Sequence, residues 1–264
     1  MIPLTDTHCH LYREYFNDLP EVIARMRERG VSLALVPGYD IATSKEALEL
    51  ASREPGLLAA AGIHPTADFS KLKRDMTELE RICSENAGRI AAIGETGIDL
   101  HWSKDTLETQ KELFAFHLSL ARRFDKPVII HTRESAPEVV QVLRESAYGG
   151  RGIFHCFDGS SETLEWAKKN GFGVSFAGNV TFPGGEALRR LASAVPDDLI
   201  LVETDSPFLA PKPVRGSRNE PANVLYVLSA VAEIKGWTIE HAGEVIRANF
   251  ARILSPGISG LTGE

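Results

Sequence analysis

Short apolar runs alternate along this chain with longer stretches of helical period. The apolar runs begin near Leu4, Ser32, Leu57, Ile90, Pro127, Gly152, Phe172 and Ile200. Most are apolar at nearly every position, as in Val31-Ser-Leu-Ala-Leu-Val36 and Val128-Ile-Ile130. Such runs fit parallel strands covered on both faces, since a half-exposed strand alternates. Between them, Thr43-x-x-Glu46, Asp105-x-x-Glu108 and Ser135-x-x-Glu138 have the spacing of capping boxes. Gly30, Gly56, Gly149 and Gly171 stand where helices should stop. An extra C-terminal helix is predicted over roughly Ile239 to Ile253, after the eighth strand–helix unit. Eight alternating units predict an α/β chain folded as a (β/α)8 TIM-type barrel, in preference to an open doubly wound sheet.

Composition narrows this further. A chain of 264 residues, 43% hydrophobic, suits one barrel domain over 1–264, and no linker, repeat or low-complexity stretch divides it. Cys9, Cys83 and Cys156 are too few and too scattered for a disulfide framework. The segment Met1-Ile-Pro-Leu-Thr-Asp6 lacks a basic region followed by an apolar one, and no run approaches the ~20 apolar residues of a membrane span. A cytoplasmic protein is the expectation. A net charge of −7 argues against a wholesale basic face for nucleic acid, although bound divalent cations supply a local positive field. Neither Gly-x-Gly-x-x-Gly nor a Walker-type motif is present, so nucleotide cofactors have little support.

Unusual polar residues collect where the strands should end. These segments are Asp6-Thr-His8-Cys-His10, Gly62-Ile-His64-Pro65, Gly94-Glu95-Thr-Gly-Ile-Asp99, His131-Thr-Arg133, Phe154-His155-Cys-Phe-Asp158 and Glu203-Thr-Asp205-Ser-Pro207. In a barrel the carboxyl ends form one ring around one mouth. His8 and His10 would share one side of an extended strand and reach one cation. Glu95 follows a buried run, where an unpaired carboxylate is costly, and a pair of ions for it to bridge would remove that cost. A lone histidine at the end of an apolar run is usually a core residue; His131 and His155, on consecutive strands, read as ligands. Asp205 reads as a further ligand and as acceptor of a proton from the attacking water.

His64 shares the rim and is expected at the substrate. Arg133 and Arg218-Asn219, the latter in the long segment 206–221, are candidate phosphate contacts. His101, His117 and His241 fall outside the strand-end register. Strand alternation should turn Cys9 and Cys156 away from the mouth as small core residues. Phe114, Phe116 and Leu120 read as helix packing, not as a base-stacking platform.

These blocks resemble, in order and over nearly the whole chain, the signature blocks of the TatD family, Arg218-Asn-Glu-Pro221 included. The resemblance implies a distorted barrel of the amidohydrolase type with one to three divalent ions. It further implies metal-dependent DNase activity of the 3′–5′ exonuclease kind, with single-stranded DNA or 3′ ends as substrate. It carries the ligand role to His8, His10, Glu95, His131, His155 and Asp205, sets His64 and Arg133 near substrate, and sets Glu203 beside the metals. After Gly97-Ile-Asp99, where the family often has a Tyr-rich stretch, this chain has Leu100-His101-Trp102.

The same ligand set also suits a deacylase or amidohydrolase acting on a smaller ester or amide, because a water activated by the ions attacks a carbonyl as readily as phosphorus. A scaffold without activity is disfavoured, since every strand-end ligand is present. Imidazoles suit Zn while carboxylates also admit Mg or Mn, so the ion's identity stays open. No obligate protein partner is evident.

Overall fold

In the computed structural model, which describes residues 3–102 and 104–254, every strand begins within one residue of its expected start. The single-unit expectation over 1–264 extends at both ends beyond these residues. The strands are β1 (Leu4–Asp6), β2 (Val31–Pro37), β3 (Leu57–Ala61), β4 (Ile90–Asp99), β5 (Val128–Arg133), β6 (Gly152–Phe154), β7 (Gly173–Phe176) and β8 (Ile200–Val202). They lie side by side in chain order, each parallel to the next. The helices between them are α1 (Leu19–Glu28), α2 (Ile41–Arg53), α3 (Leu72–Glu85), α4 (Leu107–Arg123), α5 (Ala136–Glu145), α6 (Ser161–Asn170), α7 (Glu186–Ala194) and α8 (Val224–Lys235). Buried Val, Ile, Leu and Ala fill both faces of the strands, as β2 and β5 show, so the runs need no alternation.

The barrel is nearly closed, and the seam between β8 and β1 is made by a few bonds rather than by a ladder. The amide of Thr7 donates to the Val202 carbonyl at 3.1 Å, and that of Asp205 to the His8 carbonyl at 3.0 Å. A side chain completes the join. The fully buried Asp6 carboxyl group, its pKa pushed up by burial to about 8, accepts the Thr204 amide and hydroxyl at 2.9 and 2.6 Å. An added helix, α9 (Ile239–Leu254), packs across β7, β8 and β1. Its Asn249 donates to the carbonyl of Ile200, the first residue of β8, at 3.0 Å. The extra helix therefore covers the amino ends of the strands, away from their carboxyl ends. No helix among the described residues is long and apolar enough to cross a membrane.

Helix starts differ from the expected boxes. Asp40 caps α2 and pairs reciprocally with Thr43, three residues ahead of the Thr43-x-x-Glu46 spacing. Helix α4 follows Thr106, not Asp105. Ser135 precedes α5, but its hydroxyl donates to the Ile98 carbonyl at 2.6 Å instead of capping. That bond ties the end of β4 to the β5–α5 turn. Gly171 closes α6 in the left-handed conformation, whereas Ala147, not Gly149, turns the chain after α5.

Candidate metal centre

Strand β1 stops at Asp6, so His8 and His10 lie beyond it on irregular backbone. Neighbouring strands stitch that segment in place. The Cys9 amide donates to the Leu35 carbonyl at 3.0 Å and the His10 amide to the Ser206 carbonyl at 2.8 Å. Alternation persists: Cys9 is buried on the far side, while the Nε2 atoms of His8 and His10 stand 3.3 Å apart.

Glu95 is not at a strand end. Strand β4 continues to Asp99, and its register on β5 slips between Ile93 and Thr96, where three steps on β4 face two on β5. Such a bulge re-aims a side chain. Here it turns Glu95 into the mouth. Gly97 permits the close approach that follows: at φ +139°, a Cβ there would stand 2.0 Å from the His131 carbonyl oxygen.

The two oxygens of Glu95 face different partners. Oε2 lies 3.3 Å from His8 Nε2 and 3.7 Å from His10 Nε2. Asp205 Oδ1 joins that side, 3.5 Å from His10 Nε2 and 3.8 Å from His8 Nε2. Oε1 lies 2.9 Å from His155 Nε2, 3.0 Å from His131 Nδ1 and 3.3 Å from His64 Nε2. His64, expected at the substrate, thus stands among the ligand-capable groups.

Two further carboxylates orient the histidines from behind. Asp99 Oδ2 is 3.0 Å from His131 Nε2, and Glu203 Oε1 is 3.3 Å from His155 Nδ1. Glu203 also accepts the Cys156 amide at 2.7 Å, is fully buried and does not line the cavity. It reaches the mouth only through His155. Asp99 was not among the expected site residues. The signal was there, because residues 95, 97 and 99 share one side of a strand.

Burial raises the carboxyl of Glu95, but the pull of His155, His64 and His8 and the bond to His131 outweigh it and hold the group well below the usual carboxylate range. Burial likewise raises the carboxyl of Asp205, but His10 and His8 outweigh it, so this group is also lowered. Burial, with His155 beside one ring and His131 beside the other, lowers His8 and His64 and favours their neutral, lone-pair form. Burial would lower His155 too, yet Glu95 and Glu203 raise it.

A divalent cation fits this arrangement. Imidazole nitrogens and ionised oxygens crowd together there, and a cation would take the place of the protons that Glu95 and Glu203 draw onto His155. His8 Nδ1 and His10 Nδ1 are buried without a hydrogen-bond partner among the described residues, which leaves the paired Nε2 atoms as the side of each ring that faces other polar groups. Three overlapping trios have ligand-capable atoms within 4.8 Å of one another: His8, His155 and Asp205; His8, His10 and Glu95; and His64, Glu95 and His131.

The cluster lies in an open cavity of about 1330 Å³, with Arg133, Asp158, Tyr39, Trp102 and Phe208 on its walls. Cys156 lines it as well, against expectation. Its backbone turns left-handed (φ +42°) directly after His155, which breaks the alternation that would have turned it inward. Arg218 and Asn219 do not reach the cavity. Arg218 pairs with Asp18 at 2.6 Å and stacks over Phe16. The Asn219 side chain is fully buried, donating to the Thr204 and Phe208 carbonyls and accepting from the Glu220 amide and Asn223 Nδ2. It holds the loop that follows β8. His101 pairs with Glu134, and His117 is buried in α4.

Residues 5–255 match the model of the TatD related DNase family. An uncharacterized metal-dependent hydrolase of Bacillus subtilis, YabD, is 38% identical over 95% of this chain and 98% of its own length. YcfH of Escherichia coli K12, another uncharacterized metal-dependent hydrolase, is 36% identical over 95% of each. The crystal structure of the TatD homologue YjjV from Escherichia coli superposes with a TM-score of 0.84 at 25% identity, covering 94% of this chain and 96% of that one. By these matches, which span nearly the whole barrel, the chain belongs to the TatD family and is a metal-dependent hydrolase.

Proposed function

We propose that this hydrolase is a deoxyribonuclease that cleaves phosphodiester bonds from 3′ ends of single-stranded DNA. The observation that carries the reading is the division of the Glu95 carboxylate, one oxygen toward His8 and His10 and the other toward His131, His155 and His64. Two adjacent cation sites sharing one carboxylate suit the two oxygens that bear charge in phosphoryl transfer. His8, His10, Asp205 and Glu95 Oε2 would hold one ion; His131, His155, His64 and Glu95 Oε1 the other. Such ions, of Mg, Mn or Zn, would supply Lewis-acid polarisation and make a water more acidic, with a pKa of about 7 where the ion is zinc.

The chain's own residues do the rest. Asp205, ionised and 13% exposed at the mouth, takes the proton of the attacking water on its carboxylate. Arg133, charged and on the cavity wall, contacts the phosphate. Asp99 and Glu203 hold the rings of His131 and His155 so that the ligand nitrogens do not rotate away. The family name supports DNA as the substrate.

The test is a matrix of Mg, Mn and Zn, added to metal-stripped protein, against single-stranded DNA labelled at either end and a panel of small esters and amides. Stepwise shortening from the 3′ end is expected. Turnover of esters or amides with DNA left intact would overturn the nuclease reading in favour of a deacylase or amidohydrolase.

A further inference from the structure

Among the described residues, the large hydrophobic side chains standing exposed are Trp102, at 70%, and Phe208, at 49%. Both line the cavity that holds the histidine cluster. One exposed ring means little by itself. Three contacts set Trp102 apart. The guanidinium of Arg133 lies over the indole, 5.5 Å from the ring centroid. The Trp102 amide donates to Asp99 Oδ1 at 3.1 Å, while Asp99 Oδ2 is held against His131 Nε2 at 3.0 Å. His101, whose own amide also donates to Asp99 Oδ1, sets its ring edge-on to the indole at 4.9 Å. One carboxylate thus fixes both a ligand histidine and the backbone under the exposed indole. Phe208 differs, because His10 and Tyr15 meet it edge-on at 6.1 and 5.6 Å.

We propose that Trp102, backed by Arg133, is a stacking platform for the nucleobase next to the scissile phosphate. The proposal rests on the phosphodiesterase reading above. An indole offers a flat face to any base, and stacking is tolerant of sequence. Arg133 serves two surfaces: it lies over the indole and presents its charge to the phosphate from the same wall. Leu100-His101-Trp102, the stretch where this chain departs from the family's usual pattern, then sets how the nucleotide is held without altering the ligand set.

The experiment compares kcat/KM on a short oligothymidylate with that on the same strand lacking its terminal base at the cleaved end. In wild type the base-bearing end is expected to be preferred. In W102A that preference should fall by about 5- to 100-fold, the range of one base–aromatic stack, and W102F should restore most of it. A preference that is the same in W102A and wild type would overturn the proposal. Failure of the wild type to cut any oligonucleotide with Mg, Mn or Zn would overturn the nuclease reading instead. Tryptophan fluorescence then decides the platform separately. Quenching by thymidine monophosphate in wild type that is lost in W102F supports it, and no quenching in wild type overturns it.

Discussion

The carboxyl group of Asp6 engages both hydrogen-bonding groups of Thr204, the amide through Oδ1 and the hydroxyl through Oδ2. Both residues are fully buried, at the seam where β8 meets β1. The same Oδ1 also accepts the His8 amide at 3.3 Å. A side chain therefore bridges strands that make few direct bonds, and it does so two residues before the first ligand-capable histidine. Asp6→Ala strips three buried partners at once. A loss of about 2–5 kcal/mol in urea unfolding is expected, and Asp6→Asn, which keeps an acceptor, should lose less than half as much. Equal losses in the two variants would mean that the carboxamide makes none of these bonds.

Ion binding should respond differently to changes at Glu95 and Asp99. Glu95→Gln removes the charge that faces both groups of histidines, so bound metal per chain, measured by mass spectrometry after dialysis, should fall on both sides. Activity should drop more than about 100-fold. Asp99→Asn acts on His131 and on the backbone amides of His101 and Trp102, and leaves the His8–His10 side untouched. It should weaken ion affinity by about 10–100-fold in chelator competition while leaving the His8–His10 side loaded.

His117 gives a pH signature remote from the mouth. Its Nε2 accepts the Ile63 amide at 3.0 Å and its Nδ1 meets the Leu113 carbonyl, and burial lowers its pKa from 6.5 to about 4. The unfolded chain takes up this proton below pH 6.5, the folded one only near pH 4. The neutral ring's contribution is therefore full above pH 6.5 and is lost as the pH falls toward 4, by up to about 1.4 kcal/mol per pH unit. His117→Gln keeps an acceptor without titrating. The stability gap between wild type and His117→Gln in urea unfolding should narrow between pH 6.5 and pH 4. A gap that stays constant would show that the ring takes up its proton at the same pH in the folded and unfolded chain.

Arg218 and Asn219 should separate in assays even though they are adjacent. Arg218→Ala breaks a surface pair with Asp18 outside the cavity, so kcat/KM on DNA should change less than about threefold. Asn219→Ala removes a fully buried amide that makes four bonds and should lower the unfolding free energy by about 2–4 kcal/mol. An activity loss in Arg218→Ala without loss of stability would place the arginine at the substrate after all.

Much of this fold was readable because parallel strands buried on both faces leave a plain trace, a run of Val, Ile, Leu and Ala ended by a polar residue. His131 and His155 announced themselves that way. The bulge did not. From the string alone, Glu95 reads as the end of β4, because a one-residue slip on β5 leaves no mark in composition. Asp99 is legible through its alternation with residues 95 and 97, but its partner His131 is settled only by the β4–β5 register. Cys156 was misread because alternation assumes extended backbone, and the chain turns left-handed there. Arg218-Asn219 belongs to a signature block, but position in a block does not say which way a side chain points. Trp102 was passed over as a departure from pattern, and only its exposure and its Arg133 neighbour give it a use.

The shared carboxylate also limits how such a mouth can diversify. A substitution at position 95 changes both halves together, whereas Asp99 and Glu203 each reach one histidine. The His131–His155 half can be adjusted from this outer layer while the His8–His10 half is left as it is. Variation that leaves the histidine–carboxylate cluster intact is therefore expected to gather behind the rings, and on walls such as the one that carries Trp102.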